Sequence, residues 1–94
     1  FPRATTGELD RFFEEVLDTR PPPTMGGRSP RLYFITQTSV APPTFVAMSN
    51  APDSIHFSYQ RYVQNQLRKR FGFVGSPIRV LYRQKRRRGE EKRE

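Results

Sequence analysis

Proline divides this chain before any other residue type is considered. Pro21-Pro22-Pro23, Pro42-Pro43 and Pro77 each remove an N–H that a helix interior or a central strand must donate. Elements have to fit between these breaks, and each interval carries its own hydrophobic period.

In the first interval, Thr5-Thr6-Gly7-Glu8 fits a capping box, with Thr5 as N-cap and Glu8 reaching back to its amide. Leu9, Phe12, Phe13, Val16 and Leu17 follow at helical spacing, which predicts one amphipathic helix of about 13 residues, stopped by the proline triplet. Residues 21–30 read as a Pro/Gly-rich loop. Arg31 to Val40 is β-branched and aromatic and predicts strand 1; Thr44 to Asn50 predicts strand 2, paired to it as an antiparallel hairpin across Pro42-Pro43. From Ser54 the period is helical again. Ile55, Tyr59, Tyr62, Val63, Leu67 and Phe71 share one side of a second helix that ends at Gly72, while Arg61, Gln64, Asn65 and Arg68 project from the other. Pro77 opens strand 3, Ile78 to Arg83, on which Arg79 and Arg83 share a face with Leu81. Lys85 to Glu94 can bury nothing and is expected to be a disordered tail.

The order α-β-β-α-β predicts an α+β two-layer sandwich, a three-stranded sheet covered on one face by two helices. The helical crossover favours a parallel arrangement of strands 2 and 3 if they are neighbours, and the strand order stays open. LYFI and FVAM are apolar on both faces, as in strands covered from both sides. Two helices can cover only one, so the other is expected to lie under loops or another domain.

At 94 residues there is room for one domain. Cysteine is absent, which removes disulfides, thiolate zinc sites and cysteine nucleophiles and suits a reducing compartment; the cytoplasm is the expected one. No apolar run approaches the ~18 residues of a membrane span. The chain opens at Phe1 and enters a helix within a few residues, so it reads as part of something longer.

Charge narrows the function classes. The net charge is +8, and it is unevenly placed: residues 1–20 hold five acids against three arginines, whereas residues 60–88 hold ten Lys or Arg and no acid. Such a field concentrates a polyanion at the surface. The cations nominated for phosphate contact with RNA are Arg61, Arg68, Lys69, Arg79, Arg83, Lys85, Arg86, Arg87 and Arg88. A membrane-surface role would need a free apolar helix face, which helix 2 spends on the core.

No phosphate-binding glycine loop, metal-spaced cluster or nucleophile with a candidate base is present, so neither an enzyme nor a small-molecule site is expected. His56, the single histidine, reads as a packing or capping residue beside Phe57. Gly72-Phe73-Val74-Gly75 matches the GXXG pattern of KH domains, but its apolar insert and the strand directly after it favour a helix C-cap followed by an apolar anchor. Among the aromatics, Tyr33 and Tyr82 are the expected stacking candidates.

TGELDRFFEEVLDTRPPP (6–23), RLYFITQ (31–37), PPTFVAMSN (42–50) and SYQRYVQNQLRKRFGFVGSPIRVLYRQKRR (58–87) together resemble the C-terminal KH-like domain of the Der (EngA) family of ribosome-biogenesis GTPases. The likeness departs at Met48-Ser49, where two bulky apolar residues usually precede the asparagine, and at 24–30. It implies a KH-like domain at 6–84, a linker from an upstream G domain at 1–5, and a basic tail at 85–94. It further implies that GTP and Mg are bound by G domains upstream of Phe1, with no cofactor here. The implied partners are large-subunit ribosomal RNA and those G domains in cis. A module that only docks on the G domains, without touching RNA, is the alternative.

Overall fold

The computed structural model describes residues 3–27, 29–73 and 75–85. Its elements follow the expected order: α1 (Thr6–Thr19), β1 (Leu32–Val40), β2 (Pro43–Ser49), a 3-10 turn (Pro52–Ser54), α2 (Phe57–Phe71) and β3 (Arg79–Gln84).

The local signals act as their chemistry dictates. The Glu8 N–H donates to Thr5 Oγ1 at 3.2 Å, and the Thr5 N–H donates to Glu8 Oε1 at 2.9 Å, closing the capping box. These bonds to its oxygen hold the Glu8 carboxyl below its ordinary pKa, the bond from the Thr5 backbone contributing most. The residues just ahead are also tied down: the Ala4 N–H donates to Gln37 Oε1 at 2.8 Å, and Arg3 Nη1 donates to the Gln37 carbonyl at 2.9 Å. At the start of α2, His56 Nδ1 accepts the Ser58 N–H at 3.0 Å, so the histidine is an N-cap. Gly72 ends this helix at φ +73°, a left-handed conformation that costs glycine nothing, and its N–H returns to the Arg68 carbonyl.

The sheet order is β1-β2-β3, with β1 antiparallel and β3 parallel to the central β2. This settles the edge order that periodicity left open. Both helices pack on one side. Leu9, Phe12, Phe13 and Val16 of α1 and Tyr59, Val63 and Leu67 of α2 close over Leu32, Ile35, Phe45 and Ala47. Phe73 joins them from the loop after α2, its ring 5.8 Å from that of Phe45, as the apolar anchor reading of that loop requires.

Several boundaries differ from the expectation, most of them by one residue. α2 begins at Phe57, because Pro52 starts the 3-10 turn and Ile55 is buried at its exit rather than on the helix. β2 takes in Pro43, paired with Val40. β3 begins one residue late, since the Ile78 carbonyl is taken by Gln64 Nε2 at 2.6 Å.

The doubly apolar pattern of β1 has a specific cause. The register shifts between Leu32 and Phe34, so Leu32 and Ile35 both reach the core although three positions apart, and Tyr33 and Phe34 are left exposed. On the helix-free face, register aligns Phe34 with Met48 and Arg83, and Thr36 with Val46 and Leu81. Those apolar side chains belong to no part of the core cluster.

Candidate nucleic-acid interface

A basic surface depends on where two elements present their arginines. The apolar stripe of α2 faces inward, which turns Arg61 and Lys69 outward and leaves both exposed. Arg79 and Arg83 stand on the helix-free face of β3, because Val80 and Tyr82 alternate with them and pack against the core. Lys85 follows on that face with its Nζ 4.7 Å from the centroid of the Tyr33 ring. Arg86, Arg87 and Arg88, with the disorder expected of the tail, lie outside the described residues.

Arg68 is placed differently from the other nominated cations. It is half-buried, and its Nη1 donates to the carbonyls of Phe73 at 3.0 Å and Ser76 at 2.8 Å. The guanidinium therefore holds the loop between α2 and β3 in place.

The acids of α1 do not neutralise this surface. The one ion pair among the described residues joins Glu15 of α1 to Arg70 of α2, both exposed. Arg70 is not among the nominated cations, and none of those described has a carboxylate partner.

Two shallow grooves meet at Arg61. One runs along the free edge of β3 and encloses about 420 Å³ between Phe57, Arg61, Arg79 and Leu81. The other lies between the end of α1 and the outward side of α2 and encloses about 540 Å³, with Arg20, Arg61, Arg68 and Lys69 on its walls. Neither is lined by a carboxylate among the described residues. Cations of α2 and β3 thus form one band around the β3 edge.

Sequence reasoning chose the wrong second aromatic. Tyr82 faces the helices, its hydroxyl is buried with no hydrogen-bond partner among the described residues, and burial pushes its phenol above the ordinary range. Its even-numbered place on β3, opposite to Arg79 and Arg83, was the available sign. Tyr33 is exposed as expected, although Lys85 sits over its ring. The overlooked residue is Phe57, the most exposed large apolar side chain among the described residues at 62%. It occupies the first turn of α2 off the buried stripe, with the Arg61 guanidinium 5.4 Å from its ring centroid and the His56 ring stacked at 4.8 Å. Also missed was Arg20, whose guanidinium lies 5.0 Å from the Tyr62 ring centroid at the end of α1.

Comparison with known proteins gives concordant matches. The model of a family described as KH-domain-like of EngA bacterial GTPase enzymes, C-terminal, matches residues 3–83. A GTPase Der of Moorella thermoacetica is 48% identical over 86 residues, which cover 92% of this chain and 20% of that protein. GTPase Der of Citrifermentans bemidjiense is 47% identical over 81 residues, 86% of this chain and 18% of the relative. GTPase Der of Thermomicrobium roseum is 44% identical over 85 residues, 90% of this chain and 18% of the relative. The chain spans about a fifth of the length of these curated relatives.

Proposed function

Because the chain belongs to the KH-domain-like family found C-terminally in EngA bacterial GTPases, we propose that it serves such an enzyme as its RNA-docking module. In this reading it holds the phosphate backbone of large-subunit ribosomal RNA in the cytoplasm. The reading is carried by the band of cations on α2 and β3 that no described carboxylate neutralises. Arg61, Lys69, Arg79, Arg83 and Lys85, continued by Arg86 to Arg88 in the sequence, supply charge-assisted bonds to phosphate oxygens, and Arg68 contributes whatever its loop contacts leave free. Contacts of this kind give affinity with little choice of sequence. GTP and Mg belong, in this reading, to the G domains in the rest of such a protein, and the module has no catalytic step of its own.

The helix-free sheet face supports a second role. Phe34, Val46, Met48 and Leu81 form an apolar strip there, outside the core of this fold. Docking of the G domains on that strip would bury it and cover Arg79 and Arg83, which share the face, leaving Arg61 and Lys69 of α2 open to RNA. Nucleotide state could then reposition the basic band. In the alternative, this docking is the module's whole task.

The phosphate reading is tested by titrating this chain against a large-subunit ribosomal RNA fragment between about 50 and 200 mM salt. With Arg79 and Arg83 changed to Gln, the slope of log affinity against log salt should fall by about 0.7–0.9 for each phosphate no longer neutralised. Replacing Arg86, Arg87 and Arg88 with Gln should lower it further. Wild-type affinity that does not vary with salt would leave the module with its intramolecular role alone.

A further inference from the structure

The two grooves that share Arg61 offer different chemistry. Beside β3 the Phe57 ring is largely exposed, with Arg61 and His56 against it; between α1 and α2 the one ring is partly buried. Tyr62, the aromatic of the second groove, has the Arg20 guanidinium 5.0 Å from its ring centroid, Tyr59 at 5.4 Å, and its hydroxyl directed to the Val16 carbonyl at 3.3 Å. An unpaired base has no open π-face to stack on there, and stacking is what holds single strands. What the groove does offer is charge and hydrogen-bond donors. Arg20, Arg61 and Lys69 line it together with the side-chain amides of Asn65 and Gln66. Along α2, Ser58 to Lys69 run for roughly 16 Å, enough to meet more than one phosphate of a regular backbone. The stripe is also built on a rigid element: Tyr59 Oη donates to the Arg20 carbonyl at 2.6 Å and fixes the end of α1 against α2.

We infer that the groove between Arg20 of α1 and the outward stripe Arg61–Asn65–Lys69 of α2 is a clamp for the sugar-phosphate backbone of double-helical RNA, with Arg20 as a binding residue. The inference rests on the RNA-docking reading above and sharpens it: it names the form of RNA and adds a cation from outside the basic half of the sequence. Double-helical RNA is bound by shape and by its phosphates and 2′-hydroxyls, and donors along the walls of a shallow, preformed groove suit that mode. Arg20 is suited to it because the Tyr62 ring holds its planar guanidinium in place, so binding costs it less conformational freedom.

The test compares an RNA hairpin stem with an unpaired RNA of equal length, each titrated against salt. Arg20→Gln and Lys69→Gln should each lower the salt slope for the stem by about 0.9, so that raising salt from about 50 to 200 mM weakens the variant roughly 3- to 4-fold less than wild type. Arg20→Lys, which keeps the charge, should restore the slope. Arg31→Gln, at the start of β1 and outside both grooves, should behave as wild type. Arg20 is exposed, and melting curves of the variants should overlay that of wild type. Salt-dependent binding that Arg20→Gln leaves unchanged would overturn the clamp while the RNA-docking reading stood. An unpaired strand that binds as tightly as the stem, with the same loss in Arg20→Gln, would also overturn it. Wild-type binding that ignores salt would remove both readings. If the Gln variants instead weakened only association with the G domains, the groove would be a protein contact and the clamp would fall.

Discussion

Two tyrosines show how placement decides the worth of one functional group. The Tyr59 hydroxyl donates a 2.6 Å bond to the Arg20 carbonyl, whereas the Tyr82 hydroxyl is buried with no partner among the described residues. A net hydrogen bond contributes about 1 kcal/mol, and an unpaired buried hydroxyl is a cost. Tyr59→Phe should therefore lower the melting temperature by about 4–8 °C, and Tyr82→Phe should leave it unchanged or raise it, as a thermal melt followed by circular dichroism will read. Burial lifts both phenols above their ordinary value of 10.0, with neighbouring tyrosines adding a smaller part. The unfolded chain then ionises first as pH rises. The stability that the two groups contribute is complete below pH 10 and is lost above it. Denaturation midpoints should hold steady up to that point and fall beyond it, and the double Phe variant should fall less steeply.

α2 does two jobs, and its termination matters to both. Its inner side supplies Tyr59, Val63 and Leu67 to the core, its outer side the cations, and Gly72 ends it so that Phe73 can turn inward. Nothing lies within 4 Å of where a Cβ on Gly72 would stand, so a substitution there meets only the backbone penalty of the left-handed conformation. Gly72→Ala should cost about 1–2 kcal/mol in urea unfolding, and Gly72→Asn less, because asparagine tolerates this region better. At this scale the sequence was easy to read where caps and periods agree. Thr5, Glu8, the α1 stripe and the end of α2 all fell where chemistry put them. The start of α2 was harder, since Ile55 continues the helical period while belonging to the turn before it.

For the molecule as a whole, the contrast is between a sheet face that is filled and one that is bare. Leu67 is fully buried, and Leu81 is half-exposed on the helix-free face. Leu67→Ala should destabilise the chain by about 2–5 kcal/mol. Leu81→Ser should cost clearly less in the same urea titration, and should weaken docking of this module on the G domains of a full-length relative. An equal loss of stability would place Leu81 in the core of this fold instead. Charge is uneven as well: among the described residues every acid but Asp53 lies on α1, and the grooves beside α2 and β3 are lined by cations without a carboxylate.

From its sequence alone, this chain determined its elements, the inward stripe of each helix, the family and the half that carries the positive charge. These depend on near neighbours: period, caps and proline breaks act within a few residues, and charge is a sum over them. Tertiary structure alone decided that β2 is central, that a bulge at Tyr33 turns two aromatics outward, that Arg68 is drawn to loop carbonyls, and that Arg20 meets α2. Three of these join residues far apart in the chain or depend on a one-residue shift of register, and the Arg68 bonds, five and eight residues long, depend on how the loop after α2 turns back. Local preference is indifferent to such choices, and only packing distinguishes them.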